Sequence, residues 1–239
     1  ATVYRVGALG LDTTFAGSIQ TGGDLAGVQI VKTGSGVWSL TGASDYTGGF
    51  NLENGRVVLS GTLACTGNID VQSSGTLELS GGTLRSPSLS VDPAGAVSGL
   101  GLIDGDLDNR GTLSASGPGA LTITGDVVND GVLRLTGGAE LVTAGAFVNN
   151  GLLDLMTAGG VIPPNLVNNG IVLDASAVRL TSSVVSGTAF TLRIASYSGH
   201  TYTLQTSTDL SAGGWTDIET RSGVTGQEFE FTHDAGPAS

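Results

Sequence analysis

The sequence predicts an all-β protein: a parallel β-solenoid of about 20 residues per coil, then a small antiparallel β-module. Three observations carry this. Glycine is abundant, with 40 among 239 residues, while proline contributes only six. A glycine followed by an alternating apolar strand recurs along the chain at a nearly fixed interval. Beyond residue 170 the glycines thin out and aromatic residues take their place. Collagen is excluded, because it needs glycine at every third position with abundant proline. Helices are disfavoured, since each interior glycine costs roughly 0.5–1 kcal/mol. Disorder does not fit a chain that is 39% hydrophobic and only 13% charged.

The repeat begins with Gly55-Arg56-Val57-Val58-Leu59. Gly75-Thr76-Leu77-Glu78-Leu79 and Gly95-Ala96-Val97 follow at intervals of 20, and Gly111-Thr112-Leu113 after 16. Gly131 and Gly151 come after 20 each, and Gly170 after 19. Two positions before the last four glycines stand Asn109, Asn129, Asn149 and Asn168. Four positions before the glycine the residue is apolar: Val71, Val91, Leu107, Val127, Phe147 and Leu166. Two positions after it stand Val57, Leu77, Val97, Leu113, Leu133, Leu153 and Val172. Gly111, Gly131, Gly151 and Gly170 are therefore read as corners, where Gly and Asn tolerate the positive φ of a sharp turn. Segments between corners, such as Leu121-Thr122-Ile123-Thr124, alternate with the strand period of two.

Twenty residues are too few for a strand, a crossover helix and a second strand. They suit one coil of short strands joined by corners, each coil pairing in parallel with the next about 4.8 Å away. About eight such coils would form a rod roughly 40 Å long. Stacked in this way, the four asparagines predict a side-chain amide ladder. An antiparallel hairpin sandwich also uses Asn-Gly corners, but it does not require the same residue types at a fixed register. The predicted solenoid spans residues 1–180.

Residues 187–239 form the second predicted domain. Only seven of the 40 glycines lie beyond Gly170, whereas Phe190, Tyr197, Tyr202, Trp215, Phe229 and Phe231 all do. Clean alternation in Phe190-Thr191-Leu192-Arg193-Ile194, Tyr202-Thr203-Leu204-Gln205 and Glu228-Phe229-Glu230-Phe231 predicts antiparallel strands, expected to pack on the final coil.

One segment is distinctive. Lys32-Thr33-Gly34 leads to Gly36, Trp38, Leu40 and Gly42, then to Tyr46-Thr47-Gly48-Gly49 and Gly55-Arg56-Val57-Val58-Leu59-Ser60. Residues 31–60 resemble the passenger-associated β-strand repeat of bacterial autotransporters and related surface proteins. Two positions depart slightly: Val37-Trp38 fills the apolar pair, and Val57 stands where Leu is usual. The resemblance implies a right-handed parallel β-helix displayed outside the cell, serving as scaffold. The run Tyr202-Thr203-Leu204-Gln205-Thr206-Ser207-Thr208-Asp209-Leu210, with Trp215 after it, resembles a C-terminal module of large secreted bacterial proteins. That module commonly ends in an aromatic-Arg strand, which this sequence does not show up to Ser239. Capping and surface attachment are both open as its role.

Charge narrows the function classes. The net charge is −12 and Lys32 is the single lysine, which excludes a basic patch for nucleic acid or anionic lipid. Cys65 is alone, so no intrachain disulfide forms, and it reads as a buried thiol. No apolar run reaches the roughly 18 residues of a membrane-spanning helix. The opening Ala1-Thr2-Val3-Tyr4 fits a processed, exported N-terminus. Asp104, Asp106 and Asp108 alternate as in a calcium loop, but Asn109 and Ala115 stand where such a loop needs Gly and Glu. Those residues also align with 125–131 as another repeat corner. Asp108 and Asp130 near Arg110 offer a carboxylate pair for polysaccharide hydrolysis or lysis, yet the same residues are ordinary corner formers. His200 and His233 read as surface or turn residues. Trp38 and Tyr46 read as core near the N-terminal end, and Trp215 as core with a weaker claim to glycan contact. No cofactor or metal is expected. The first thirty residues show no capping helix, so end-to-end self-association is expected. The functional expectation is a non-enzymatic extracellular or cell-surface structural protein, a stalk, layer or fibre subunit. Alternatives are an adhesin or glycan-binding module and, behind it, a polysaccharide-active β-helix enzyme.

Overall fold

A computed structural model describes residues 2–21, 27–157, 162–174, 180–207 and 214–234. Strand makes up 70% of the structure, and no helix occurs among the described residues. The chain divides into two compact units, Ala1–Ala175 and Ser176–Ser239. The first is a parallel β-solenoid of about seven turns, with about 20 residues per coil.

Each complete coil has three sides. The first side stacks Thr2–Val6, Val28–Lys32 and the start of Phe50–Leu59 in parallel, and it ends with Val127–Asn129, Phe147–Asn149 and Leu166–Asn168. The second stacks Thr13–Phe15, Val37–Leu40 and residues 56–59, and it ends with Val132–Thr136, Leu152–Thr157 and Ile171–Leu173. The third runs from Ala43–Tyr46 and Thr62–Cys65 to Gly119–Ile123 and Ala139–Thr143. In the middle coils the strands Ile69–Val91 and Ala96–Asn109 bend round the corners without a break.

In-register pairing places like on like, and alternation sends every second side chain inward. On the second side Trp38, paired with Thr13 of the coil before, leads into the column Val57, Leu77, Val97, Leu113, Leu133, Leu153 and Val172. From Val57 to Leu153 these side chains are almost completely buried. Each such burial contributes roughly 1.5–3 kcal/mol, so the core is a set of aliphatic columns. At its N-terminal end it turns aromatic: Trp38 stacks on Phe50 with centroids 6.3 Å apart, and Phe15 lies tilted 6.4 Å from Trp38.

Two sequence expectations change here. Counting back from the glycine aligned Val71 and Val91 with Leu107, but Leu107 pairs with Leu89, and Val91 pairs with Asn109. The corners at 72–75 and 92–95 are two residues longer than those at 110–111. The extra length at the second is a turn in which Ala94 takes a φ of 67° and the Gly95 N–H donates to the Asp92 carbonyl. The second change concerns why glycine stands at the corners. None of Gly111, Gly131, Gly151 and Gly170 has a positive φ. Instead the coils approach too closely for a side chain: a Cβ on Gly131 would overlap the Gly111 carbonyl oxygen, and one on Gly151 the Gly131 carbonyl. Steric approach, not backbone torsion, selects glycine in this column.

The second unit is antiparallel. Ala189–Ser196 pairs with Leu180–Ser186 on one edge and Gln227–Asp234 on the other, while Thr201–Ser207 pairs with Trp215–Ser222. Tyr202, Phe229 and Phe231 form its core in edge-to-face pairs at 5.8 and 6.2 Å. Arg221 lies over the Phe231 ring at 5.1 Å, a cation–π contact. Trp215, expected in the core, is 45% exposed. It opens its strand opposite Ser207, outside the three-ring cluster. Residues 208–210 of the motif-bearing run lie outside the described residues.

Replacing Gly131 by Ala is expected to cost more than about 2 kcal/mol, because backbone on two coils must separate to admit one methyl group. Urea denaturation of the variant measures it. A loss below about 0.5 kcal/mol, the level of an ordinary surface substitution, would contradict the close-approach explanation.

Candidate functional site

The polar chemistry of the solenoid gathers in one inward column at the corner between its first and second sides. From the N-terminal end the column reads Val6, Lys32, Leu52, Val71, Val91, Asn109, Asn129, Asn149 and Asn168. A corner turns backbone carbonyls inward, and a buried carbonyl needs a donor. Two residue types in this column supply one.

Lys32 is 1% exposed. Its Nζ donates to the carbonyls of Thr33 (2.8 Å), Gly34 (2.8 Å) and Asn54 (3.2 Å), which fills all three of its donor positions. Burial lowers its pKa from the ordinary lysine value. Sequence reasoning missed this role, although a signal was present: Lys32-Thr33-Gly34 has the same spacing as Asn109-Arg110-Gly111.

Asn109, Asn129 and Asn149 are each fully buried. The Asn109 Nδ2 donates to Asn129 Oδ1, Asn129 to Asn149 and Asn149 to Asn168, each at 2.7 Å. The second hydrogen of the first three Nδ2 groups reaches a carbonyl: Val132 (3.0 Å), Leu152 (3.1 Å) and Ile171 (3.2 Å). The asparagine backbones link the coils as well. Asp130 and Gly131 N–H groups share the Asn109 carbonyl (2.8 and 2.9 Å), and Asn150 and Gly151 share that of Asn129 (both 2.8 Å). Asn169 and Gly170 share that of Asn149 at 2.8 and 3.0 Å.

All the ladder bonds point one way, so the first oxygen has no donor. Asn109 Oδ1 is buried without a partner, and the residue stacked against it is Val91. Outside the core, Asp130, Asn150 and Asn169 form a parallel exposed ladder. Asn150 Nδ2 donates to Asp130 Oδ1 at 2.7 Å, and Asn169 Nδ2 to Asn150 Oδ1 at 2.9 Å.

The acidic residues considered for catalysis or calcium each have partners, and Asp108, Asp92 and Asp130 all act on Arg110. Asp104 accepts from Arg85 (2.6 Å) and from the Thr124 hydroxyl (2.8 Å), which lower its pKa. Asp106 Oδ1 accepts the Asp126 N–H at 2.9 Å, and Asp108 pairs with Arg110. Asp108 faces Val128 on the next coil, two positions from Asp130. Among the described residues no group of three His, Cys, Asp or Glu is placed to hold a metal, and every arginine is ion-paired. His200 occupies a turn, its N–H donating to the Tyr197 carbonyl (3.3 Å), and His233 pairs across the sheet with Phe190. Tyr46 and Cys65 stack as register partners in the core. Burial pushes the Cys65 thiol up to about 11 and the Tyr46 phenol well above its ordinary value, so neither is ionised at neutral pH. A cleft of about 580 Å³ in the first two coils is lined by Tyr4, Val6, Phe15, Ile19, Ile30 and Trp38 among others. Its described lining includes no carboxylate, and the ammonium of Lys32 at its margin is already occupied. The described geometry is that of an internal staple.

Replacing Val91 by Thr places a hydroxyl donor against Asn109 Oδ1. This variant is expected within about 0.5 kcal/mol of the parent, whereas Val71→Thr, in the same column without an amide beside it, costs about 1–3 kcal/mol. Comparing their denaturant midpoints tests the orphaned oxygen, and equal losses would contradict it. A second expectation concerns Asp70, whose pKa is raised by burial and by Asp92. The folded state therefore favours protonated Asp70, so its contribution is present at low pH and lost as pH rises through the folded pKa. Asp70→Asn should raise the denaturant midpoint at pH 7, the gain vanishing below about pH 4, where Asp is protonated in the unfolded chain as well. A pH-independent gain would contradict the assignment.

Comparison with known proteins gives one result. Residues 30–59 match the family model of the passenger-associated-transport-repeat, while no curated protein and no solved structure matches the chain. The match covers the coils that hold Lys32 and its three carbonyls. Together, the repeat and the parallel β-solenoid fit an autotransporter passenger-like β-helix repeat protein, a family that implies a secreted or surface-exposed chain.

Proposed function

We propose that this chain is a non-enzymatic structural segment of a bacterial surface passenger, a stalk, layer or fibre subunit outside the cell. The observation that carries the reading is the placement of the 30–59 repeat within a continuous in-register stack. Such a stack suits a spacer, because each coil contacts only its neighbours and length is added coil by coil. The buried lysine and asparagine side chains of the corner column are spent on holding coils together.

End-to-end association is part of this proposal. Among the described residues, Thr2–Val6 pairs only with Val28–Lys32, and a further strand could pair on its other edge. Val3, Tyr4, Leu9 and Leu11 are 50–85% exposed beside that edge. An open, partly apolar strand edge templates further pairing, and an interface that does not close on itself propagates. A second reading, an adhesin or glycan-binding module, is favoured by Trp215, the large exposed aromatic face of the C-terminal unit.

Negative-stain microscopy at increasing concentration tests the first reading. Filaments or end-joined particles are expected, and Val3→Lys, a charge on the open edge, should disperse them. Monomers at every concentration, salt and pH, together with saturable glycan binding abolished by Trp215→Ala, would replace that reading with the second.

A further inference from the structure

The chain has three Asn-Gly dipeptides, Asn54-Gly55, Asn150-Gly151 and Asn169-Gly170, and the exposed ladder holds the last two. In such a pair the glycine backbone nitrogen has no neighbouring Cβ to hinder its attack on the asparagine side-chain carbonyl carbon. Attack needs a free glycine N–H, a mobile amide and a backbone able to bend into a five-membered ring. The corner geometry controls all three.

Asn150-Gly151 is held on both sides. The Gly151 N–H donates to the Asn129 carbonyl at 2.8 Å. The Asn150 amide donates to Asp130 and accepts from Asn169. The next coil closes over the corner, with the Ile171 N–H on the Gly151 carbonyl at 2.8 Å. Asn54-Gly55 pairs in register with Ser74-Gly75 of the following coil, and the Asn54 carbonyl accepts from Lys32. Asn169-Gly170 occupies the same corner as Asn150-Gly151, one coil further on, and among the described residues it is held from one side only. Its Gly170 N–H bond to Asn149 is 3.0 Å, and its amide makes a single contact, to Asn150. Among the described residues, Leu166–Asn168 and Ile171–Leu173 pair only with the preceding coil. Local opening is easiest where stacking is one-sided.

We infer that Asn169 is a deamidation site, and that its modification unlocks Asn150. The Gly170 nitrogen loses its proton to water or hydroxide and bonds to the Asn169 side-chain carbon. The carbon–nitrogen bond of the amide breaks, and ammonia leaves with a proton from solvent. Water then opens the succinimide to aspartate or isoaspartate. The product adds a negative charge and removes the Nδ2 donor that held Asn150 Oδ1. The isoaspartyl form also lengthens the main chain by one methylene at a corner whose register depends on its length. Modification therefore passes from the coil of Asn169 to the one before it.

The test is incubation of the full chain in mildly alkaline buffer, folded and in concentrated guanidinium, with peptide mapping for isoaspartate over time. In denaturant the three sites should react at similar rates. In the folded chain Asn169 should react at least about tenfold faster than Asn150, with the Asn150 product confined to molecules already modified at 169. Asn169→Ser, which removes the donor without the reaction, should speed Asn150 severalfold. Equal protection of Asn150 and Asn169, or an Asn150 rate unchanged by the Ser variant, would each overturn the inference.

Discussion

The constraint on which the first unit depends is the spacing between coils. Parallel pairing fixes neighbouring backbones about 4.8 Å apart, so every residue meets its counterpart one coil away. That distance suits two leucines, and it suits two amides whose nitrogen and oxygen face each other. It forbids a side chain wherever the backbone turns toward the next coil, and there the structure has Gly111, Gly131, Gly151 and Gly170. The aliphatic columns, the asparagine ladder and the glycine corners are three answers to the same distance.

The corner between the first and second sides shows what happens when the answer changes along the stack. In the second coil Lys32 satisfies three carbonyls with one ammonium. Leu52, Val71 and Val91 then occupy the position with no donor, and from Val71 onward the backbone instead makes a longer turn. Beyond Val91 the corner shortens and asparagine takes over. The switch leaves one unsatisfied atom, Asn109 Oδ1, because amide bonds in a ladder share one direction and its first acceptor has only Val91 beside it. The lysine coil falls within residues 30–59, where the passenger-associated-transport-repeat matches. The asparagine coils lie outside that match, so one stack holds two solutions to corner carbonyls.

Much of this was legible in the sequence, for a physical reason. In-register stacking copies spacing into structure, so a period near 20 and the run Asn109, Asn129, Asn149, Asn168 pointed directly to stacked coils. Two things were hidden. A corner two residues longer leaves the side chains facing the same way, so counting from the glycine assigned Val71 and Val91 to the neighbouring column. Lys32 stood out in sequence only as a motif residue and the single lysine, and a lone lysine is rarely buried; its three carbonyl partners come from two coils and appear only on stacking. The C-terminal unit was less legible. Its strands were visible by alternation, but which aromatics form the core depends on how two sheets meet, and Trp215 proved to lie outside it.

The central claim is that paired N–H groups at each Asn-x-Gly corner are held by the asparagine carbonyl of the coil before. Native-state hydrogen exchange of Asp130, Gly131, Asn150, Gly151, Asn169 and Gly170 measures this directly. Strong protection at 130–131 and 150–151, weakening at 169–170 where nothing described stacks beyond, is the predicted result. Exchange at all six amides as fast as in an unfolded chain would contradict the account.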